Sequence, residues 1–288
     1  MTTLQPQATP SAVPAADTPT LSLIVLTNFL PAARRAIRYA AELAAPLGAQ
    51  LVLLHVREVS VLEGELLYPD TEERAGELLV AVQALADETY VPTTVELVAD
   101  LQLSTAAALA QRYAPAVFVL GQAAEPAEEG EVAAAVREVL RSGEFPLLIV
   151  PEAYRGAVPP RQVLVAADGE PFALSRPEAA RQLLAQVEPA LTVVKVSAIE
   201  DDQACAAALH QVQASGLAAA AGRLTVEAMH HVSPVAGLLR AIEQTEANLL
   251  VVIARRRSFL GAMFHRSVTS RLLHASPVPL LLLPASDE

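Results

Sequence analysis

The sequence predicts an α/β protein of two tandem doubly wound domains, each a five-stranded parallel sheet with helices on both faces. Three observations lead there. Short apolar strands alternate with helix-length segments, and parallel neighbours require crossovers of that length. Right-handed crossovers then place helices on both faces. The same order of elements is run through twice. The two runs also match in sequence: FPLLIVP at 145–151 returns as VPLLLLP at 278–284, and AVFVLG at 116–121 as LLVVIA at 249–254, each 133 residues later. IVLTN at 24–28 returns as LVAAD at 164–168, 140 residues later. A near-constant offset of this kind marks an internal duplication.

Taken in order, residues 1–20 are rich in Pro, Thr, Ala and Gln without periodicity, which predicts a disordered tail. Leu21–Thr27 reads as a buried strand. Pro31 opens a helix where its missing N–H costs nothing, and Gly48 closes it. Strands follow at Gln50–Val56, Thr93–Ala99, Ala116–Gly121 and Pro146–Val150. Helices are expected at Asp70–Thr89, Ser104–Tyr113 and Glu131–Ser142. These make a first domain over 21–151. Glu152–Arg161, with two prolines and a glycine, reads as the linker. The second domain, 162–284, repeats the order with strands at Gln162–Ala167, Ala190–Val196, Leu224–Met229, Leu249–Ala254 and Pro279–Leu283. Its helices are expected at Arg176–Gln186, Asp201–Ser215, Pro234–Thr245 and His265–Leu273.

Composition supports this. Hydrophobic residues make up 53% of the 288 residues, Trp is absent and Phe and Tyr are few, so the cores are built from Ala, Leu and Val. A net charge of −12 argues against general nucleic-acid binding. The charge is uneven: 9 basic against 20 acidic residues through Arg155, and 11 against 12 from Gly156 onward. That asymmetry directs the search for an anion site to the second half. One cysteine, Cys205, excludes an internal disulfide and a thiolate zinc cluster. The N-terminus lacks the charge and apolar block of a signal peptide, and no apolar run approaches the ~18 residues of a membrane span. A cytoplasmic location is the expectation.

The opening stretch IVLTNFLPAARRAIRYAAELAAPLGAQLVLLHV and the closing stretch LLVVIARRRSFLGAMFHRSVTSRLLHASPVPLLLLP resemble the universal stress protein family. The resemblance implies an adenine nucleotide alpha hydrolase-like fold. It further implies an Asp after strand one and, after strand four, a loop of Gly, two residues, Gly, about nine residues, then Gly-Ser. Small residues there let backbone N–H groups reach phosphates, and the Ser stands at a helix N-terminus that favours anions. In the second half Asp168 keeps the Asp, but Ala254, Arg257 and Arg266 replace the three glycines, and only Ser267 followed by Val268 survives. In the first half Asn28 replaces the Asp; Gly121 is kept, but Glu125, Glu128, Glu129 and Glu131 follow it and would repel phosphates.

The resemblance therefore implies a non-catalytic binding or adaptor protein of the stress response that does not bind ATP in its first domain and needs no cofactor. The alternative is a regulator with one live nucleotide or anion site in the second domain. There Asp168 would meet the base or ribose, Val196 would wall the adenine, and Ser267 and Val268, aided by Arg255 and Arg266, would meet the phosphates. Arg255, Arg256, Arg257, Arg266 and Arg271 lie within seventeen residues, and guanidinium groups bind phosphate well. The bland alternative is a solvated basic loop docked on an acidic surface. The family also implies that the domains pair through their last strands as an intramolecular pseudo-dimer, which buries the apolar PLLIVP and PLLLLP edges. Neither a protein partner nor pairing of whole chains into a homodimer is specified.

Other polar groups carry less. His230 and His231 are adjacent on a strand and point to opposite faces, so they do not chelate one ion. His265 reads as a cap or surface residue, and Cys205 and His210 as residues of an Ala-rich helix. The acidic run at 200–202 reads as a helix start. Residues 65–79 read as a lid over the crevice or, equally, as an ordinary helix start. No G-x-S-x-G, G-x-x-x-x-G-K-[ST] or G-x-G-x-x-G pattern is present.

Overall fold

The computed structural model describes residues 19–56, 60–62, 65–67, 72–124, 137, 145–198, 202–219, 221–255 and 268–286. Most of the predicted tail, the helix at Glu131–Ser142 except Arg137, and the start of the helix at His265–Leu273 lie outside them.

The first repeat runs β1 (Ser22–Thr27), α1 (Pro31–Leu47), β2 (Gln50–Val56), β3 (Ser60–Leu62), β4 (Glu65–Leu67), α2 (Glu72–Asp87), β5 (Thr93–Val98), α3 (Leu103–Arg112), β6 (Ala116–Gln122) and β7 (Leu147–Pro151). The second runs β8 (Gln162–Ala166), β9 (Ala173–Leu174), α4 (Pro177–Val187), β10 (Ala190–Ser197), α5 (Asp202–Ala214), β11 (Arg223–His230), α6 (Pro234–Thr245), β12 (Leu249–Arg255), α7 (Val268–Ala275) and β13 (Leu280–Ser286). Two features go beyond the predicted elements: the β3–β4 hairpin, and the short strand β9, which pairs antiparallel with β13.

One sheet runs through both repeats in the order β11-β10-β8-β12-β13-β7-β6-β1-β2-β5. Within each repeat the main strands are parallel, with the first strand central and the fourth and fifth beyond it. At the centre β7 and β13 pair antiparallel. The two repeats thus fit the intramolecular pseudo-dimer, and each closes the other's apolar edge.

The core follows from composition. β1 is buried along its whole length, as expected of a strand covered on both faces. α1 starts at Pro31 and ends at Gly48, whose left-handed backbone (φ 58°) lets its N–H reach Ala44 O and Ala45 O. α1 and α4 pack on each other across the junction. Tyr39 of α1 is fully buried there and meets Tyr154 of the linker edge-on, with ring centroids 5.9 Å apart. Burial, reinforced by the neighbouring Tyr154, pushes the Tyr39 hydroxyl well above the usual tyrosine pKa. Tyr154 in turn donates to Ala157 O (3.1 Å) and Asn248 O (3.3 Å), so the linker is tied to the second repeat.

Candidate functional site

In each repeat the chain leaves the first and fourth strands at their carboxyl ends beside one another. That is the switch point where open α/β sheets bind ligands. The repeat offset allows the two crevices to be compared position by position.

Just past strand one stand Asn28 in the first crevice and, at the same repeat position, Asp168 in the second. Both make the same turn: Asn28 Oδ1 accepts from Leu30 N (3.2 Å) and Asp168 Oδ1 from Glu170 N (3.1 Å). An amide and a carboxylate serve this role equally. The next residue is left-handed in both, Phe29 at φ 62° and Gly169 at φ 86°. Glycine takes that conformation freely, whereas a phenylalanine is strained by about 1–2 kcal/mol. Phe29 packs on His55 at 5.3 Å, and His55 Nδ1 lies 2.9 Å from Thr27 O. Lys195, the counterpart of His55 and the chain's one lysine, donates to Asp168 O at 2.5 Å. In both repeats, then, the tip of strand two ties down the end of strand one.

The repeats diverge at strand four. An added Cβ at Gly121 would overlap Ala32 O and Ala33 N, because the first turn of α1 lies directly over β6. Its counterpart Ala254 carries that methyl and is buried. The helix that follows strand one in the second repeat, α4, starts at Pro177. Pro31 and Pro177 are 146 residues apart, although the strands before and the helix ends after them are offset by 140. Six residues that are helical in the first repeat are therefore non-helical in the second, and they form a strap. It leaves β8 at Asp168, crosses the end of β12 and pairs with β13 at Leu174↔Ala285 and Ala173↔Ser286.

Under the strap lies a cavity of about 300 Å³. Asp168, Phe172, Lys195, Val196, Arg255 and Val268 are among its lining residues. Arg255, at the end of β12, holds the strap. Its Nη2 donates to Asp168 Oδ1 (2.9 Å) and Glu170 O (2.7 Å), and its Nη1 to Pro171 O (3.0 Å) and Glu170 Oε2 (3.3 Å). The Arg255 side chain is 11% exposed, against 55% for Asp168 and 68% for Glu170.

Of the sequence-predicted residues, the structure brings Asp168, Val196, Arg255 and Val268 to one cavity, and it joins Asp168 to Arg255. Arg266 and Ser267, like Arg256, Arg257 and His265, lie outside the described residues, as do Glu125, Glu128, Glu129 and Glu131. Arg271 is exposed on α7. Residues 65–67 belong to the hairpin, and α2 begins only at Glu72. His230 is exposed, while His231 is partly buried and its Nδ1 accepts from Ser233 N (2.9 Å). No metal-competent group of His, Cys, Asp or Glu occurs among the described residues. Nor is any helix among them long and apolar enough to cross a membrane. Sequence reasoning missed Glu170, Phe172 and Lys195. The signal for the first two was the 146-residue spacing of the helix-opening prolines.

The universal stress protein family matches residues 22–153 and again 159–284. The chain belongs to the universal stress protein family. A universal stress protein from Archaeoglobus fulgidus superposes with a TM-score of 0.65 at 19% identity, covering 91% of this chain and 97% of that one. A functionally unknown protein from Pseudomonas aeruginosa PAO1 gives 0.51 at 14%, covering 91% and 92%. The cytoplasmic domain of a prokaryotic cation chloride cotransporter gives 0.50 at 10%, covering 92% and 95%. At such identities the likeness concerns the fold. Among curated proteins, none matches the chain significantly. Against the family's phosphate loop, this universal stress protein has Ala254 in place of the first glycine, with the methyl buried.

Proposed function

We propose that this universal stress protein is a non-catalytic binding or adaptor protein of the stress response, and that its first repeat does not bind ATP. The observation that carries the reading is the Asp168–Arg255 pair (2.9 Å). The acid and the base that a nucleotide would engage in the second repeat are bonded to each other. In the first repeat, Asn28 is likewise engaged with its own turn, and Phe29 stands against His55 at the strand tips. No nucleophile with an activating base is visible among the described residues of either crevice, which favours binding over turnover.

A second reading, an anion- or nucleotide-responsive regulator working through the second repeat, is favoured by one observation. Asp168, Val196, Arg255 and Val268 do converge on a cavity at the switch point. Equilibrium binding of labelled ATP with Mg²⁺ separates the two. The first reading expects weak binding that is indifferent to Asp168→Asn. Tight binding lost in Asp168→Asn or Ser267→Ala would establish the second. Phosphate release above background would overturn the non-catalytic assignment.

A further inference from the structure

The strap does more than close a gap left by a shortened helix. It touches three parts of the molecule in sequence. Asp168 and Glu170 engage Arg255 at the mouth of the second crevice. Phe172, buried, forms part of the cavity wall. Leu174 and Ala173 pair with β13, and Ser175 N donates to Pro284 O (2.9 Å). Arg176 then lies over the ring of Phe145, 5.1 Å from its centroid, and Phe145 packs edge-on against Phe118 in the first repeat. The strand it pairs with, β13, is itself the junction with β7. One nine-residue segment thus runs from the second crevice, along the junction strand, to the core of the first repeat.

We propose that residues 168–176 are a built-in plug across the mouth of this cavity, and that a ligand seats fully in the second crevice only by unlatching them. Occupancy of the crevice is thereby coupled to the junction between the repeats. The plug identifies the ligand class. It supplies carboxylates to Arg255 and a phenyl ring to an apolar wall, so a displacing ligand carries an anionic group on a compact aromatic or aliphatic body. The strap's hold is of a strength that a ligand can overcome. Its two carboxylates are more than half exposed, and its pairing with β13 spans two residue pairs. This deepens the reading of the second repeat as a binding site and rests on that reading.

The test uses the full chain with Cys205→Ser and a cysteine pair, Ala173→Cys with Ser286→Cys, placed on opposed residues of the strap and β13. The probe is the aromatic sulfonate 8-anilinonaphthalene-1-sulfonate, followed by fluorescence and by hydrogen exchange. In the reduced protein the probe binds and speeds exchange of the Ser175 amide about tenfold. With the pair oxidised, affinity falls about tenfold and returns on reduction. Equal affinity in the two forms, or binding that leaves Ser175 exchange unchanged, overturns the proposal. Independently, Arg255→Gln without probe speeds Ser175 exchange about tenfold while β1 and β2 stay protected; an unaltered Ser175 also overturns it. Tight ATP binding in both oxidised and reduced forms would keep the second repeat as a binding site and sink the plug alone, as would probe binding without a strap response. No binding of probe or ATP to either form would sink that site and the plug together.

Discussion

Leu148 and Leu281 are partners across the antiparallel junction, and each is the other's counterpart in the duplicated sequence, 133 residues apart. Leu147 correspondingly faces Leu282, and Ile149 faces Leu280. A pseudo-two-fold axis therefore passes between Leu148 and Leu281, as it would between identical strands of a symmetric dimer. Both side chains are buried, at 1% and 0% exposure, so the junction is core rather than a surface contact.

A charge placed on this axis should break the molecule at its centre. Leu148→Asp is expected to destabilise by about 3 kcal/mol or more, because the carboxylate would be buried in an apolar core. Leu148→Ala should cost roughly 2–5 kcal/mol through the cavity it leaves. Urea unfolding measures both, and an Asp variant as stable as the parent would contradict the burial.

Gly121 and Ala254 should not tolerate the same residue. Gly121→Ala forces a methyl into Ala32 O and Ala33 N, backbone atoms at the start of α1. A loss of roughly 1–3 kcal/mol is expected, with faster exchange in the first turn of α1. Ala254→Gly removes a buried methyl but relieves no clash, so a loss near 1 kcal/mol is expected. Thermal melts of the two variants give the comparison. An innocuous Gly121→Ala would mean that α1 can shift away from β6.

Tyr39 offers a stability test with a defined pH window. Its hydroxyl is buried without a partner among the described residues. Tyr39→Phe should therefore be neutral or stabilising by up to about 1 kcal/mol at neutral pH. Burial raises its pKa above the usual 10.0, and burial also raises that of Tyr154. The fold thus favours the protonated phenols. Their contribution is fully present below about pH 10 and is lost as the pH rises from there through the folded pKa values. Tyr39→Phe should flatten that alkaline loss, which urea midpoints at about pH 8 and about pH 11 would reveal. An unchanged slope would assign the loss to other groups.

Glu188 closes α4 in a left-handed conformation at φ 46°, where its counterpart Gly48 closes α1 at φ 58°. Glu188→Gly should stabilise the protein by up to about 1 kcal/mol, since glycine adopts this backbone without strain. A lower melting temperature would show that the glutamate side chain contributes something beyond its backbone.

The carboxylates on Arg255 should matter less than the arginine. Asp168→Asn and Glu170→Gln each leave Arg255 its carbonyl partners and remove a half-exposed charge, so each is expected to cost under about 1 kcal/mol. Arg255→Ala loses its four bonds to the strap and should cost about 1–3 kcal/mol, a loss that shrinks as salt is raised for the charged part only. Equal losses in the three variants would place the strap's hold in the ion pairs instead.

The sequence alone determined the duplication, the order of strands and helices, and the apolar last strands that need covering; that they cover each other was what the family resemblance implied. The first three are written in local period and in runs such as PLLIVP and PLLLLP, whose burial any compact fold must satisfy. The resemblance singled out Asp168, Val196, Arg255 and Val268, and they do meet at one switch point: the first three lie at or just past the carboxyl ends of parallel strands, and Val268 opens the helix that follows the fourth strand. Only the tertiary structure decided what those residues do there. Asp168 and Arg255 are bonded to each other because a methyl at Ala254 stands where the first turn of a helix would lie. The displaced six residues then had to run extended across β12 to reach β13. A clash between two segments far apart in the chain leaves no mark on either one's periodicity, and so the plug becomes visible only when the strands are laid side by side.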